Sequence, residues 1–456
     1  MTKTTTDIQA FINDHPFSKF QWMILALCFV TVAMDGFDTA IIGFIASDLV
    51  QEWGVQKSDL GPVMSAALIG LAVGALTAGP MADRIGRKKV LVLSILVFGG
   101  FSLLTAFASS LTQLTLLRFL TGLGLGAAMP NAATLMSEYA PARRRALLVN
   151  LMFVGFPIGS SMGGFVSAWL IPHYGWQSVL ILGGVMPLAL AVLLIFLLPE
   201  SVRYMVVKNH PQRKIAALLK RIAPVAENAR FVLQEAGQVK EKSALGVIFS
   251  PRYAVGTVML CLTYFMGLLI FYLLTSWLPL LIRETGASLS QASVITALFP
   301  LGGGIGVLIL GVLMDKLNPN KVVAVGYVLT GVFVCLVGFS TNSLVLMGIM
   351  VFIAGTIMNG AQSSMPALAA GFYPTQGRAT GVAWMLGLGR FGGILGAFSG
   401  AFLMQAELAF QTIFTLLAIP ALLSALALLI KHVVSQRQAL KSEAATAALN
   451  SATQKA

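Results

Sequence analysis

Long apolar runs, separated by short polar stretches, recur along almost the whole chain of 456 residues. A helix needs roughly 20 apolar residues to cross a bilayer. Only 10% of the residues are charged, against about 25% in soluble domains, so an ordinary soluble protein is excluded. The runs predict twelve membrane-spanning helices, at 22–45, 60–80, 89–109, 112–136, 146–170, 178–198, 253–274, 290–313, 321–340, 343–366, 380–403 and 409–430.

The basic residues fall mostly on one side of these helices. With the N-terminus placed inside, only four of the 30 lysines and arginines lie outside cytoplasmic segments: Lys57 and Arg283 in external loops, and Arg118 and Arg390 within spans. Because cytoplasmic loops carry the excess of Lys and Arg, we expect both termini in the cytoplasm. The net charge of +13 then reflects topology and contact with the lipid bilayer, and we expect no nucleic acid as partner.

Two loop sequences repeat between the halves of the chain. The segment Gly79–Lys89 resembles Gly311–Lys321, and Tyr139–Arg143 resembles Tyr373–Arg378. An even number of spans separates each pair, so both copies have the same orientation in the membrane. We therefore predict an all-α membrane protein with two parallel-repeat six-helix bundles.

The predicted domains follow from the one long hydrophilic segment. We expect a bundle at 1–199, a cytoplasmic linker at 200–252, a second bundle at 253–431 and a cytoplasmic tail at 432–456. The simplest interpretation of the linker is a tether. Its apolar residues at 214–222 indicate a short amphipathic helix.

Two carboxylates remain at membrane depth when the 17 acidic residues are assigned to loops and span ends. These are Asp35 and Asp38, three residues apart and so on one face of the first span. Two neighbouring carboxylates in a low dielectric do not both ionise easily, which suits a proton carrier. The alternative is a static ion pair with Arg118 that holds the first and fourth spans together.

Two arginines also lie within spans. Arginine presents a planar fork that matches a carboxylate. We assign Arg118 to the Asp pair and Arg390 to an anionic substrate. The reverse assignment stays open, as does a structural hydrogen-bonding role for Arg390.

Polar and aromatic side chains on the spans are candidates for lining a substrate site. Aromatic rings can stack on a ring substrate, although most such rings pack against lipid or helices. Intramembrane amides can bind a hydroxyl, or can join helices. The candidates are Asn131, Tyr264, Phe271, Asn359, Gln362 and Trp384.

Glycines recur in three places that bear on motion. Gly79 and Gly86 in the loop after the second span indicate a tight turn, with Asp83 at a helix end and Arg87 at the inner surface. Glycines at four-residue spacing in 155–164 allow close helix contact or bending, and the eleventh span has five glycines in 387–396 that make it pliant. Since the chain has no GxxxxGK[ST] sequence, ATP-driven transport has no support. The scattered Cys and His residues indicate no metal site.

Several segments resemble one family. GPMADRIGRKK at 79–89, RFLTGLGLG at 118–126 and GVLMDK at 311–316 resemble signatures of the major facilitator superfamily. The Asp35–Asp38 segment DGFD, LPESVRY at 198–204 and FYPTQGRATGVAWMLGLGRFGG at 372–393 resemble its aromatic acid:proton symporters. The resemblance covers the whole chain. It implies functional roles for Asp35, Asp38, Gly79, Asp83, Gly86, Arg118, Glu138, Asp315, Arg378 and Arg390. We assign Gly79, Asp83, Gly86, Arg87, Glu138, Asp315 and Arg378 to gating loops.

The resemblance implies proton symport of a small aromatic carboxylate, of the 4-hydroxybenzoate, protocatechuate or benzoate type, into a bacterial cell by alternating access. The proton gradient supplies the energy, so we expect no cofactor, and a location in the inner membrane. Two alternatives remain: an efflux antiporter of the same fold, and a sensor that binds aromatic acids without transporting them. An enzyme is not expected, because the sequence contains no nucleophile–base set.

Overall fold

The computed structural model describes residues 5–225, 230–232 and 244–455. Before the midpoint its helices are α1 Ile8–Asp14, α2 Lys19–Trp53, α3 Gly61–Ile85, α4 Arg87–Thr105, α5 Leu111–Tyr139, α6 Arg145–Phe153, α7 Gly155–Tyr174, α8 Gln177–Leu197, α9 Val202–Val207 and α10 Gln212–Leu219. After it they are α11 Ala244–Ile248, α12 Ala254–Glu284, α13 Leu289–Lys316, α14 Pro319–Gly338, α15 Leu344–Phe372, α16 Thr375–Gln405 and α17 Phe410–Lys455. Two strands, β1 Thr5–Asp7 and β2 Arg230–Val232, complete these elements.

All twelve predicted spans are confirmed as long apolar helices. The fifth is built from α6 and α7 in succession, and α2 and α12 extend well beyond the predicted limits. The first span begins at a capping box. The backbone N–H of Gln21 donates to the Ser18 hydroxyl, and the backbone N–H of Ser18 donates to the Gln21 side-chain oxygen. It ends at Gly54, whose φ of 62° is the left-handed conformation that glycine adopts readily.

The chain forms two compact units. The first holds Met1–Gln238 and Ser288–Ala297, and the second holds Val239–Ala287 and Leu298–Ala456. The first unit includes most of the segment predicted to be a linker, together with the first residues of α13.

Glycines set the helix pairs of the first unit. In α7, a Cβ on Gly159 would collide with the carbonyl oxygen of Ala33 on α2, and in α5 a Cβ on Gly122 would collide with that of Ala67 on α3. On α8, a Cβ on Gly184 would collide with Leu103 of α4. The backbones thus approach as closely as small residues permit. The first span pairs with the fifth, the second with the fourth and the third with the sixth.

The second unit shows the same pairing order. A Cβ on Gly392 of α16 would collide with Phe265 of α12, and one on Gly355 of α15 would collide with Phe299 of α13. Gly338 of α14 lies against α17. Each unit therefore pairs its first span with its fifth, its second with its fourth and its third with its sixth, as parallel repeats require.

The described part of the predicted tether is folded. β1 and β2 form a two-stranded parallel sheet in which Thr6 is opposite Phe231. Phe231 is buried in the core of the first unit, beside Phe11 of α1. The predicted amphipathic helix is α10, which buries Ile215 and Leu219 in the same core.

Candidate functional site

A fully buried ion pair lies in the first unit, where Arg118 of α5 binds Asp38 of α2 through both ends of its fork. Nη2 is 2.6 Å from Oδ2 and Nη1 is 3.0 Å from Oδ1. Nη2 also donates to the Asp38 carbonyl at 3.3 Å. Both side chains are inaccessible to solvent. This bidentate geometry is the strongest form of the arginine–carboxylate interaction.

A third span completes the group. Ser102 of α4 donates its hydroxyl to Asp38 Oδ1 at 2.9 Å and is fully buried. Asp38 thus accepts three side-chain hydrogen bonds from two other helices.

Asp35 lies one helical turn before Asp38 on α2 and is also buried, with 2% of its surface exposed. Thr39 is placed to donate to its Oδ1 at 3.5 Å, a long contact. The two carboxylates therefore have different surroundings, although the sequence treats them as a pair.

Close packing by glycine fixes the height of these carboxylates. A Cβ on Gly36, the residue after Asp35, would collide with the Phe156 carbonyl oxygen of α7. Gly155 and Gly159 accommodate α2 in return, at Phe29 and Ala33. The predicted glycine contact at 155–164 is thus observed, and it supports the helix that carries both acids.

The second unit places Arg390 on α16, where the side chain is half-buried. Its preceding residue, Gly389, leaves room for the ring of Tyr264 on α12, and Tyr264 interacts electrostatically with Arg390. Gly393 accommodates Tyr272 in the same way, one turn along. The predicted Arg390 and Tyr264 are therefore neighbours.

A buried hydrogen-bonded pair lies behind them. Tyr327 of α14 donates its hydroxyl to Gln362 Oε1 at 2.5 Å, and Gln362 Nε2 donates to the Tyr264 carbonyl at 3.3 Å. Gly267 makes this possible, since a Cβ there would collide with the Gln362 amide. Gln362 thus joins three helices and stands next to Tyr264.

The other predicted lining residues are dispersed. Asn131 and Asn359 each donate to the carbonyl four residues earlier in their own helix, at 2.7 and 2.8 Å. Phe271 is buried between Tyr272 and Phe299, with ring centroids 5.1 and 6.1 Å away. Trp384 is 41% exposed and packs edge-to-face on Phe249. Of these four, Phe271 contacts Tyr272, the ring that Gly393 accommodates one turn from Gly389.

A polar network lies at the membrane face from which the first span starts. Arg87 binds Asp83 at 2.7 Å and lies 3.7 Å from Glu138, the residue before the end of α5. Ser201, just after α8, donates its hydroxyl to the Glu138 carboxylate. The predicted Asp83, Arg87 and Glu138 are thus brought together.

Most of the residues assigned to gating loops lie in helices, and their role in gating stays a prediction. Gly79 lies inside α3 with open space around it, because α3 continues to Ile85, so it makes no turn. Only Gly86 forms the turn, at a φ of 104°. Asp83 and Glu138 lie in the last turns of helices, as does Asp315, which is exposed. Arg378 is exposed in the first turn of α16.

Each of the three groups described above also contains a residue that the sequence did not predict: Ser102, Tyr327 and Glu200. Ser102 and Tyr327 carry no sequence signal, since a lone hydroxyl in an apolar span is common. Glu200 accepts from the Lys88 and Ser201 amides at 3.1 and 2.9 Å, and the Tyr139 hydroxyl donates to its carbonyl at 2.6 Å. The segment LPESVRY that contains Glu200 was a signal that could have found it.

Comparisons with known proteins agree with this architecture. The 4-hydroxybenzoate transporter PcaK of Pseudomonas putida is 55% identical over 435 residues, 95% of this chain and 97% of that protein. A gallate transporter of Pseudomonas putida is 49% identical over 424 residues, 93% and 94% of the two chains.

A solved structure gives the same fold. The crystal structure of a D-xylose-proton symporter superposes with a TM-score of 0.71 at 17% identity, over 90% of this chain and 97% of that one. The family model for the Major Facilitator Superfamily matches residues 27–285 and 260–454. These matches are to transporters and not to enzymes. The chain belongs to the Major Facilitator Superfamily, as a multi-pass membrane protein with twelve spanning helices.

Proposed function

We propose that this protein takes up small aromatic carboxylates, of the hydroxybenzoate type, together with protons and by alternating access. In this proposal the termini are cytoplasmic and the membrane is the bacterial inner membrane. The single observation that carries the coupling is the buried Asp38–Arg118 pair with a second buried carboxylate, Asp35, one turn away. Charges at membrane depth mark transport paths, because they are costly to insert.

Asp35 is the proton carrier in this mechanism. Protonating Asp38 would leave the guanidinium of Arg118 buried without its counter-charge, and breaking such a pair costs about 3–5 kcal/mol. Ser102 adds to that cost, since it donates to the ionised form. Protonating Asp35 leaves the Arg118 pair intact. Asp38 is then the fixed anion beside which Asp35 accepts and releases its proton.

Arg390 is the substrate's partner. Its fork can bind a carboxylate through two parallel hydrogen bonds, and the Tyr264 ring beside it offers an aromatic face. Arg118, the alternative, is occupied by Asp38. Two relatives that cover nearly the whole chain are named for 4-hydroxybenzoate and gallate, both hydroxylated benzoates. Their names support this substrate class.

Charge balance explains why a proton accompanies the substrate. Bringing one anion into a cell with an inside-negative potential costs about 2.3 kcal/mol per 100 mV. A proton that travels with the anion makes the step electroneutral, so the pH gradient alone can drive accumulation.

Uptake of labelled 4-hydroxybenzoate into proteoliposomes tests the proposal. We expect accumulation when the outside is acidic, with the membrane potential clamped at zero, and its loss when the pH gradient is collapsed. An efflux antiporter would instead accumulate substrate only under the reversed gradient. A sensor would bind the acid and show no flux under either. Either result would overturn the proposal.

A further inference from the structure

A basic cavity of about 470 Å³ lies at the membrane face from which the first span starts. It is formed by two segments, the one between α1 and α2 and the one between α5 and α6. Its lining includes Asn13, His15, Phe17, Arg143 and Arg144. Its volume falls within the range of about 300–1,000 Å³ that small-molecule sites occupy.

The walls of this cavity are fixed by hydrogen bonds. The Ala142 amide donates to Asn13 Oδ1 at 2.8 Å, and Gln9 Nε2 donates to the Ala140 carbonyl at 3.3 Å. Nδ1 of His15 is bound to the Phe11 carbonyl at 2.7 Å, which orients the ring. α1 buries Ile8, Phe11 and Ile12 in the core, so the whole segment is anchored.

The charges of the cavity are of one sign. Arg143 and Arg144 are exposed, and their side chains form no ion pair within the described residues. The lining contains no carboxylate, although Asp14 lies between two lining residues in sequence and is exposed. Two guanidinium groups that are not neutralised locally favour an anion, and guanidinium geometry suits phosphate.

Next to the cavity lies an aromatic pair of the kind found at membrane surfaces. Phe17, which lines the cavity, packs edge-to-face on Trp22 with ring centroids 5.1 Å apart. Trp22 is 53% exposed in the first turn of the first span. Exposed Trp at a span end is typical of the headgroup level. The cavity therefore lies at the depth expected of lipid headgroups.

We propose that this cavity binds the phosphate group of an anionic phospholipid, with Arg143 and Arg144 holding the phosphate and Phe17 and Trp22 contacting the glycerol and first acyl carbons. Basic pockets beside spanning helices bind such headgroups by the same electrostatics. The site is separate from the Asp38–Arg118 group and independent of the transported substrate.

Native mass spectrometry of the full chain in detergent, titrated with phosphatidylglycerol or phosphatidylcholine, tests the proposal. We expect a first phosphatidylglycerol to bind more tightly than phosphatidylcholine. R143Q/R144Q should weaken that binding by roughly tenfold or more, and R143K/R144K, which keeps the charge but loses the planar guanidinium, should weaken it less. R213Q/K214Q removes the same charge from the exposed face of α10, outside the cavity, and should leave the affinity unchanged.

Equal affinity for the two lipids, or equal weakening by the control variant, would overturn the proposal. The comparison of the two lipids uses the unmodified chain, so it tests the proposal even if a variant fails to fold. A further titration with inorganic phosphate identifies the source of the group. If phosphate displaces phosphatidylglycerol only at high concentration, the result supports a lipid ligand. If the cavity binds phosphate more tightly than phosphatidylglycerol, the ligand is a soluble anion and the proposal is overturned.

Discussion

Arg118 holds Asp38 by two parallel hydrogen bonds, of 2.6 and 3.0 Å, between side chains that solvent does not reach. A pair of this kind is expensive to break from one side only, because the remaining charge stays buried. Its removal from both sides is far less costly.

The first prediction is a double-mutant cycle at this pair. R118L should lower the free energy of unfolding by about 3–5 kcal/mol, since Asp38 is left unpaired. D38L/R118L should recover most of that loss, while transport stays abolished. Unfolding in mixed micelles measures the free energy of unfolding of each variant, and uptake into proteoliposomes measures transport. Additive losses in the double variant would contradict the coupling.

Ser102 offers a test on a smaller scale. S102A removes one hydrogen bond to an ionised group, so we expect about 1.5–3 kcal/mol of destabilisation. S94A is the matched control on the same helix, because Ser94 is also buried and its hydroxyl donates to the carbonyl of Val90 in its own helix. Equal effects of both substitutions on unfolding would show that Ser102 has no special relation to Asp38.

Gly79 and Gly86 should respond in opposite ways to alanine. G79A adds a methyl group in open space within a helix and should stabilise the protein by up to about 1 kcal/mol. G86A forces a left-handed conformation and places a Cβ against the Glu200 carboxylate, so it should cost about 1–2 kcal/mol or more. Thermal unfolding of the two variants measures the difference, and equal tolerance would refute the assignment of the turn to Gly86.

The chemistry of Arg390 predicts a ligand-specific effect. R390K keeps the charge but loses the fork, so we expect KM for 4-hydroxybenzoate uptake to rise at least about tenfold. Binding of the neutral methyl ester of 4-hydroxybenzoate should change little, which serves as the control. A loss shared by acid and ester would indicate that Arg390 supports the helix rather than the carboxylate.

The twelve spans follow from the sequence because an apolar run of bilayer length has few other structures available. The assignment of Arg118 to the Asp pair also follows, since opposite charges at membrane depth attract strongly. The difference between Asp35 and Asp38 does not follow. It depends on how α2 is rotated against α5, and that rotation is set by glycine contacts with α7.

Other features depend on contacts between distant segments. Thr6 pairs with Phe231 although the two residues are far apart in sequence and no local pattern relates them. For this reason the sequence predicted only a tether for the linker. The sequence predicted a turn at Gly79 because glycine is frequent in turns. In the structure, α3 extends beyond Gly79 to Ile85. Tyr327 is found only through its hydrogen bond to Gln362.

The central claim is that Asp35 carries the proton while Asp38 remains paired, and the D35N variant in proteoliposomes tests it most directly. Two fluxes of labelled 4-hydroxybenzoate are compared at zero membrane potential: accumulation driven by an acidic outside, and exchange against unlabelled substrate at equal pH. We predict that D35N loses accumulation and keeps exchange, since the substrate site and the Asp38–Arg118 pair are intact. Accumulation by D35N with an undiminished response to the pH gradient would contradict the account.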